Sequence, residues 1–392
     1  MKPSVEIAGA GIAGLITGLA FAQKGWIVHV HEQNSGLPTR GEGIYIWENG
    51  LRVLDALGVL PRVVAGTIGA ARHERRSYDG RAFSRNALSP DFSLRVVPRE
   101  NLLTALHEAL VETGGKVEFN SRGATAELDG VLHLSDGSSR RGDLVVGADG
   151  LNSAIRDSLG LLRRRRPANQ FGYRALIRRE PDEPETDAAH THCEYWNGSR
   201  RLLYAPCTAG HASVQLTSLA GDRSGNAVPI DRDFWRDLFP DLSWVLDRIP
   251  DDGRGDWFEI VQLEFWSSGK VAIVGDAACA QPPFLGHGVG CSMMSAFALA
   301  QTVNRADDVI DGLREWEMRE RPFTDWVQWV AYWYGQLAFL PEGARTAILK
   351  ATDASKWLQR RILLAAVGRD VTAIRRYSPT TLPSEAVHPL IH

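Results

Sequence analysis

The opening of the chain constrains its fold more than any other segment. A β-run over Val5 to Ala8 leads into Gly9-Ala10-Gly11-Ile12-Ala13-Gly14, then an amphipathic helical stretch to about Lys24 and a second β-run over Ile27 to Val30. In such a βαβ unit the first glycine, Gly9, allows a tight turn, Gly11 lets backbone approach a pyrophosphate, and Gly14 lets helix and strand pack closely. The helix N-terminus at Ile12 and Ala13 then faces the anion. Glu32, about 20 residues past the central glycine, can accept both ribose hydroxyls, with Gln33 beside it, and would repel a 2′-phosphate. A dinucleotide with an unphosphorylated ADP half is expected; a glycine turn of purely structural use is the alternative.

Composition narrows the partner. With 392 residues, 44% hydrophobic and 23% charged, the chain can bury a large core in two packed domains. A formal charge of −3, spread through the sequence, makes no case for nucleic acid or a membrane surface, so a small molecule is the expected partner. No apolar run approaches the roughly 20 residues that span a bilayer. The first residues read as a short strand rather than a secretory segment, so a cytoplasmic location is expected. Cys193, Cys207, Cys279 and Cys291 lack the spacing of a metal site or a disulfide framework. The run Arg163-Arg164-Arg165-Arg166 reads as a solvated loop at a domain junction.

Two further motifs follow β-runs. Asp149-Gly150-Leu151-Asn152-Ser153-Ala154-Ile155-Arg156 comes after Leu144 to Val146, and Gly275-Asp276-Ala277-Ala278 after Val271 to Val274. The latter continues through Pro282-Pro283 into Gly286-His287-Gly288-Val289-Gly290 and a helical stretch. Alone, an Asp-Gly after a strand is usually just a turn. In this order, the motifs resemble those of the class A flavoprotein monooxygenases, the aromatic hydroxylases typified by p-hydroxybenzoate hydroxylase.

That resemblance implies an α/β architecture: a Rossmann-like FAD-binding domain, an inserted, mostly antiparallel β-sheet substrate domain, and C-terminal helices. The expected bounds are 1–70, 96–165 and 265–325 for the first, 71–95 and 166–264 for the second, and 326–392 for the helical region. FAD would be held by the first motif, by Asp149, by Gly275 and Asp276 at its ribityl chain, and by Arg99 at its phosphates. A surface position is the rival reading for Arg99, which opens a helix of apolar period at Leu102, Leu103, Leu106 and Leu110. Gly286, Gly288, Val289 and Gly290 would start a helix whose N-terminus stabilises negative charge on the reduced flavin. Gly43 and Ile44 belong to a stretch, Gly41 to Tyr45, implied to be the flexible rim past which the flavin swings. Gly43→Val is therefore expected to impair flavin motion or binding. No second GxGxxG appears, so NAD(P)H is expected as a transient co-substrate with O2, and NADH and NADPH are not distinguished.

Within the family the likeness is sharpest to an oxygenase of a hydroxypyridine carboxylic acid. It is clearest over Gly41 to Leu54, Leu203 to Cys207 and Val228 to Asp231. It implies that Arg174 and Arg201 face the substrate ring and its carboxylate, as guanidinium groups suit; exposed strand positions are the alternative. His73 and Ser213 stand where that enzyme presents tyrosines, which argues for a different substrate. His73 is the candidate contact for a substrate hydroxyl, with Tyr45 also lining the site. Pro283 lies in the loop beside the reacting ring. His287 replaces a glutamine and is a candidate for proton movement or a positional role, while Cys279 replaces a histidine as a buried filler. The segment between the second and third motifs reads as short alternating strands with one helix over Asp231 to Phe239. The aromatic stripe Trp326, Trp329 and Trp333 reads as a helix face packed on the core, with a dimer surface second.

The implied activity is hydroxylation, or oxygenative opening, of a small hydroxylated or amino-substituted aromatic or pyridine ring through a flavin C4a-hydroperoxide. No metal and no acid/base pair is needed, and a monomer or homodimer is expected. A halogenase, a reductase, or an FAD-binding sensor without turnover are the alternatives.

Overall fold

Continuous apolar runs such as Leu144–Gly147, buried at every position, suit a strand covered on both faces. The computed structural model, which describes residues 2–37, 41–88, 93–179, 190–355 and 357–359, places that run at the centre of a six-stranded sheet. The order is Ser267–Ser268, Val271–Ile273, Leu144–Gly147, Ser4–Ala8, Ile27–Glu32, Lys116–Phe119. All pairings are parallel except the first. The helix Ile12–Ala22 follows the first strand, and the helix Arg99–Glu112 buries Leu102, Leu103, Leu106 and Leu110 as their period requires. All three sequence motifs thus leave the carboxyl ends of neighbouring strands, where open α/β sheets bind ligands.

The second sheet has seven strands in the order Arg254–Leu263, Leu162–Arg178, His211–Leu219, Arg200–Pro206, Thr191–Asn197, Arg72–Ser77, Ala82–Ala87. Only the Thr191–Asn197 pairing with Arg72–Ser77 is parallel. The strands are not all short: Leu162–Arg178 runs for 17 residues. It takes in the arginine run, which is therefore strand and not loop. Arg165 pairs with Val261 in the ladder and donates to Glu259 Oε1 at 2.8 Å, and Arg166 lies 4.2 Å over the Tyr332 ring.

Strand alternation gives this sheet two unlike faces. Phe171, Tyr173, Ala175 and Ile177, with Leu202, Val214 and Leu216, pack against Trp235, Phe239 and Leu246. The covering helix Arg232–Leu238 starts where Asp231 accepts from the Phe234 N–H at 3.1 Å. The other face is polar and turns toward the parallel sheet.

Two expectations change. Gly43–Trp47 is a strand paired antiparallel with Leu94–Pro98, so of the expected Gly41 to Tyr45 loop only Gly41 and Glu42 lie outside a strand. In the 28-residue helix Val309–Gln336 the buried residues from Trp326 onward are Val327, Gln328, Ala331 and Gly335, while Trp329 and Trp333 are 55% and 53% exposed. The helix was read correctly but its buried face was not, because Val327, small residues and an amide, rather than the tryptophans Trp329 and Trp333, are buried there, while Tyr332 and Tyr334 reach the seven-stranded sheet. Of the expected C-terminal region, 360–392 lies outside the described residues. Among the described residues no helix is long and apolar enough to cross a membrane.

Candidate active site

At the dinucleotide end the three glycines have different reasons. A Cβ on Gly14 would lie 1.9 Å from the Gly9 carbonyl oxygen, and one on Gly9, at φ 103°, 2.5 Å from that of Ala148. Both are demanded by packing. A Cβ on Gly11 would meet nothing within 4 Å, which is the open side a ligand's phosphates need. Glu32 is buried and oriented, accepting from the Ala10 N–H at 2.9 Å and the Asn34 N–H at 3.0 Å, whereas Gln33 is exposed. Asp149 accepts from Ser153 Oγ at 2.5 Å and the Ala154 N–H at 2.7 Å, so its carboxylate fixes the turn into the short helix Ala154–Ser158.

The third motif closes onto the first, with a Cβ on Gly275 only 2.8 Å from that of Ala13. Asp276 is solvent-accessible, yet it is surrounded by protein deeply enough that burial raises its carboxyl pKa against the pull of Arg174, Arg254 and Arg99. A side chain that is both accessible and surrounded stands on the floor of a deep cleft. Beside it the buried carboxylate of Glu42 gathers three guanidinium groups: Arg99, Arg254 at 3.2 Å and Arg174 at 3.3 Å. Asp256 pairs with Arg174, and with Arg254 at 2.7 Å. The helix Gly288–Val303 opens on Gly288, Val289 and Gly290 with no side-chain cap, leaving N–H groups unpaired by the chain's own side chains. Trp47 Nε1 donates to the Leu285 carbonyl at 3.1 Å and holds the preceding turn, in which Gly286 sits at φ 65° against Tyr45. An open glycine, cationic groups and an uncapped helix are the features that fit a flavin dinucleotide.

The polar face of the seven-stranded sheet lies across this cleft. The register sets His73 beside His192, Arg75 beside Glu194, and Arg201 beside Thr217, while Ser213 and Gln215 follow on the same face. Tyr45 reaches them from the Gly43–Trp47 strand, its ring 5.6 Å from that of His192. Phe284, from the turn after Pro283, lies 4.9 Å from the Arg201 guanidinium and 5.6 Å from the Phe258 ring. Burial, aided by Arg75, pushes the His73 imidazole down to about 4, and burial takes His192 and His287 to about 3. All three are neutral at physiological pH. Arg201 pairs with Glu194 at 3.2 Å and Arg75 with Asp353 at 2.9 Å, and Tyr334 Oη lies between Arg75 and Glu194.

The family model described as the FAD binding domain matches residues 2–306. This chain belongs to the FAD-dependent class A flavoprotein monooxygenases. The 2-heptyl-3-hydroxy-4(1H)-quinolone synthase of Mycobacteroides abscessus is 37% identical to this monooxygenase over 90% of its chain and 95% of that protein. The FAD-dependent urate hydroxylase of Klebsiella pneumoniae is 28% identical over 79% and 84%. Among solved structures, the tetrameric form of 2-methyl-3-hydroxypyridine-5-carboxylic acid oxygenase superposes with a TM-score of 0.82 at 33% identity, over 93% of this chain and 96% of that one.

In this monooxygenase the expected site residues divide into two groups. His73, Arg201, Ser213 and Tyr45 meet in the chamber between sheet and cleft, with Pro283 at its edge. Arg174 turns instead to Glu42 and Asp256 at the cofactor end. His287 packs 5.1 Å from the Trp47 ring, and Cys279 is buried, with its sulfur accepting from Gln328 Nε2 at 3.1 Å. Sequence reasoning passed over His192, Glu194, Arg75 and Tyr334 in the chamber, and Glu42, Arg254 and Asp256 at the cleft. Alternation along Thr191-His192-Cys193-Glu194-Tyr195-Trp196 was the available signal for the first two.

Proposed function

We propose that this monooxygenase uses NAD(P)H and O2 to hydroxylate an uncharged nitrogen heteroaromatic ring of the 4-quinolone type, at the carbon beside the ring carbonyl. One observation carries the reading: buried polar atoms of the chamber, namely Tyr45 Oη, His192 Nδ1, Arg201 Nε, Gln215 Nε2 and Thr217 Oγ1, have no protein partner. Each unpaired buried group costs about 1–3 kcal/mol, and a ring bearing a carbonyl and an N–H supplies an acceptor and a donor to pair with them. The relative named for making a 3-hydroxy-4(1H)-quinolone points to the same chemistry.

FAD, when bound, takes hydride from NAD(P)H and activates O2. Arg99 and the opening of the Ile12–Ala22 helix would hold its phosphates, Glu32 its ribose, and Asp276 its ribityl chain. The chamber residues would hold the ring flat against the flavin and exclude water. Neutral His73 can accept a hydrogen bond from the ring N–H or O–H without carrying charge into the site.

The likeness to the pyridine-carboxylate oxygenase supports a second reading, a carboxylated hydroxypyridine held by Arg201. One assay separates the two: NADH and NADPH oxidation by the FAD-loaded protein with 2-heptyl-4(1H)-quinolone and with hydroxypyridine carboxylates, recording product mass and H2O2. Acceleration by the quinolone with a product heavier by one oxygen atom is expected. Acceleration by the carboxylates alone would select the second reading, and substrate-independent H2O2 would remove both.

A further inference from the structure

We propose that Glu194 is the specificity residue of the chamber: by cancelling the charge of Arg201 it sets the site to accept an uncharged ring and refuse a carboxylate. The inference rests on the reading of this chamber as the ring site. Arg201 lies against aromatic rings of the chamber wall, with Phe284 at 4.9 Å and Trp196 at 5.8 Å. Left alone it would be a ready partner for a substrate carboxylate, since a planar guanidinium binds that group in bidentate fashion.

Glu194 removes that option. It lies on the neighbouring strand, on the same face and diagonal to Arg201, whose register partner is Trp196, and is as buried as Arg201, the two residues being 3% and 2% exposed. One of its oxygens takes Arg201 at 3.2 Å, and the other lies 3.5 Å from His73 Nε2, 3.5 Å from Tyr334 Oη and 3.6 Å from Arg75. Arg75 is itself matched by Asp353 at 2.9 Å. The wall therefore carries two guanidinium groups against two carboxylates. Arg345, also buried, lies 4.5 Å from the other neighbour of Arg201, the Trp196 ring, and is engaged by the Gly198 carbonyl, to which it donates at 2.5 Å. A third carboxylate brought by a substrate to Arg201 would be a buried anion beside Glu194 at a guanidinium whose charge is already matched, and desolvation makes that arrangement unfavourable. A quinolone carbonyl, which is neutral, meets no such obstacle.

The test uses two rings that differ only by the group in question, 4(1H)-quinolone and 4-oxo-1H-quinoline-2-carboxylate. Each is titrated into the oxidised, FAD-loaded protein without NAD(P)H, following the perturbation of the flavin absorbance, so that binding is read independently of turnover. In the wild type the uncharged ring is expected to bind at least about tenfold tighter, or about 1.4 kcal/mol. Glu194→Gln keeps the shape and drops the charge, and should raise affinity for the carboxylate at least about tenfold. In Glu194→Gln combined with Arg201→Gln that gain should vanish. Equal or tighter binding of the carboxylate by the wild type overturns the proposal, and this arm needs no variant to fold. An unchanged preference in a Glu194→Gln protein that retains FAD overturns it as well. If neither ring perturbs the flavin, the chamber is not the ring site and the inference falls with that reading. Binding that follows the expected pattern without any hydroxylated product would instead leave Glu194 in place and count against the proposed reaction alone.

Discussion

Glu42 shows how much one buried residue can organise. Burial pushes its carboxyl pKa up, but Arg174, Arg99 and Arg254 together outweigh burial and hold it below its ordinary 4.5. Its backbone carbonyl also accepts from the Arg99 N–H at 3.0 Å, so one residue sets both the entry of the Arg99–Glu112 helix and the direction of its guanidinium. Glu42→Gln should cost about 3–5 kcal/mol, the range for removing one partner of a buried ion pair, and should weaken FAD retention. Because the folded-state pKa is depressed, the carboxylate's contribution is fully present above the unfolded value and is lost as pH falls through the folded one. Urea melts of wild type and variant should therefore differ most at neutral pH and converge on acidification below about 4.5. A constant difference down to strong acid would remove the ionic account of this site. Nothing in the sequence singled Glu42 out: it lies in the stretch whose family likeness drew attention to its glycines, and the three arginines that give it meaning are 57, 132 and 212 positions away.

At the scale of elements, the Gly43–Trp47 strand is wedged between the Leu94–Pro98 strand and the seven-stranded sheet. A Cβ on Gly43 would lie 2.6 Å from both Ser213 Cβ and Val96 Cγ1. Its φ is not positive, so the glycine is needed for close approach and not for backbone freedom. Gly43→Ala should then cost about 1–3 kcal/mol by overpacking, seen as a lowered melting temperature in both apo and holo protein. A loss confined to the holo form would return the glycine to a role in flavin movement. The contrast with the first motif explains what was legible. Gly9, Gly11 and Gly14 act within one local βαβ unit whose geometry their spacing encodes, so a reader of the sequence sees the turn. Gly43 answers to Ser213, a residue 170 positions later, and no local pattern reports that. The seven-stranded sheet was legible as alternation, and its antiparallel character followed. The parallel junction of Thr191–Asn197 with Arg72–Ser77, which brings His73 to His192, is a tertiary choice that neither strand's sequence carries.

At the scale of the whole molecule, one long helix links the two largest sheets of the described residues. Val309–Gln336 touches both, since Gln170 of the seven-stranded sheet donates to the Gly335 carbonyl at 2.8 Å and Arg321 donates to the Leu263 carbonyl at 2.6 Å, while Glu317 accepts from the N–H of Ser267, on the six-stranded sheet, at 3.1 Å. Gln328 is the tightest fastening. Its Nε2 donates at 2.8 Å to the carbonyls of Val261, on the seven-stranded sheet, and Ala280, just past the third motif, and its Oε1 accepts from Gln262 at 3.0 Å. An amide thus sits at the centre of this junction, and apolar period, which points to the aromatics, does not reveal it. Gln328→Leu keeps the bulk and removes every one of these bonds. The Ala280 carbonyl still has the Val261 N–H at 3.2 Å, but the Val261 carbonyl loses its Gln328 donor and the Gln262 amide loses an acceptor. A cost of about 1–3 kcal/mol is expected, measured as a lower urea midpoint. Because the lost bonds tie the seven-stranded sheet, through the helix, to the segment that follows the third motif, the variant should also form more H2O2 per NAD(P)H consumed, as the ring is held less firmly over the flavin. A normal product yield alongside the lowered midpoint would confine Gln328 to stability and leave the alignment of ring and flavin to the strands.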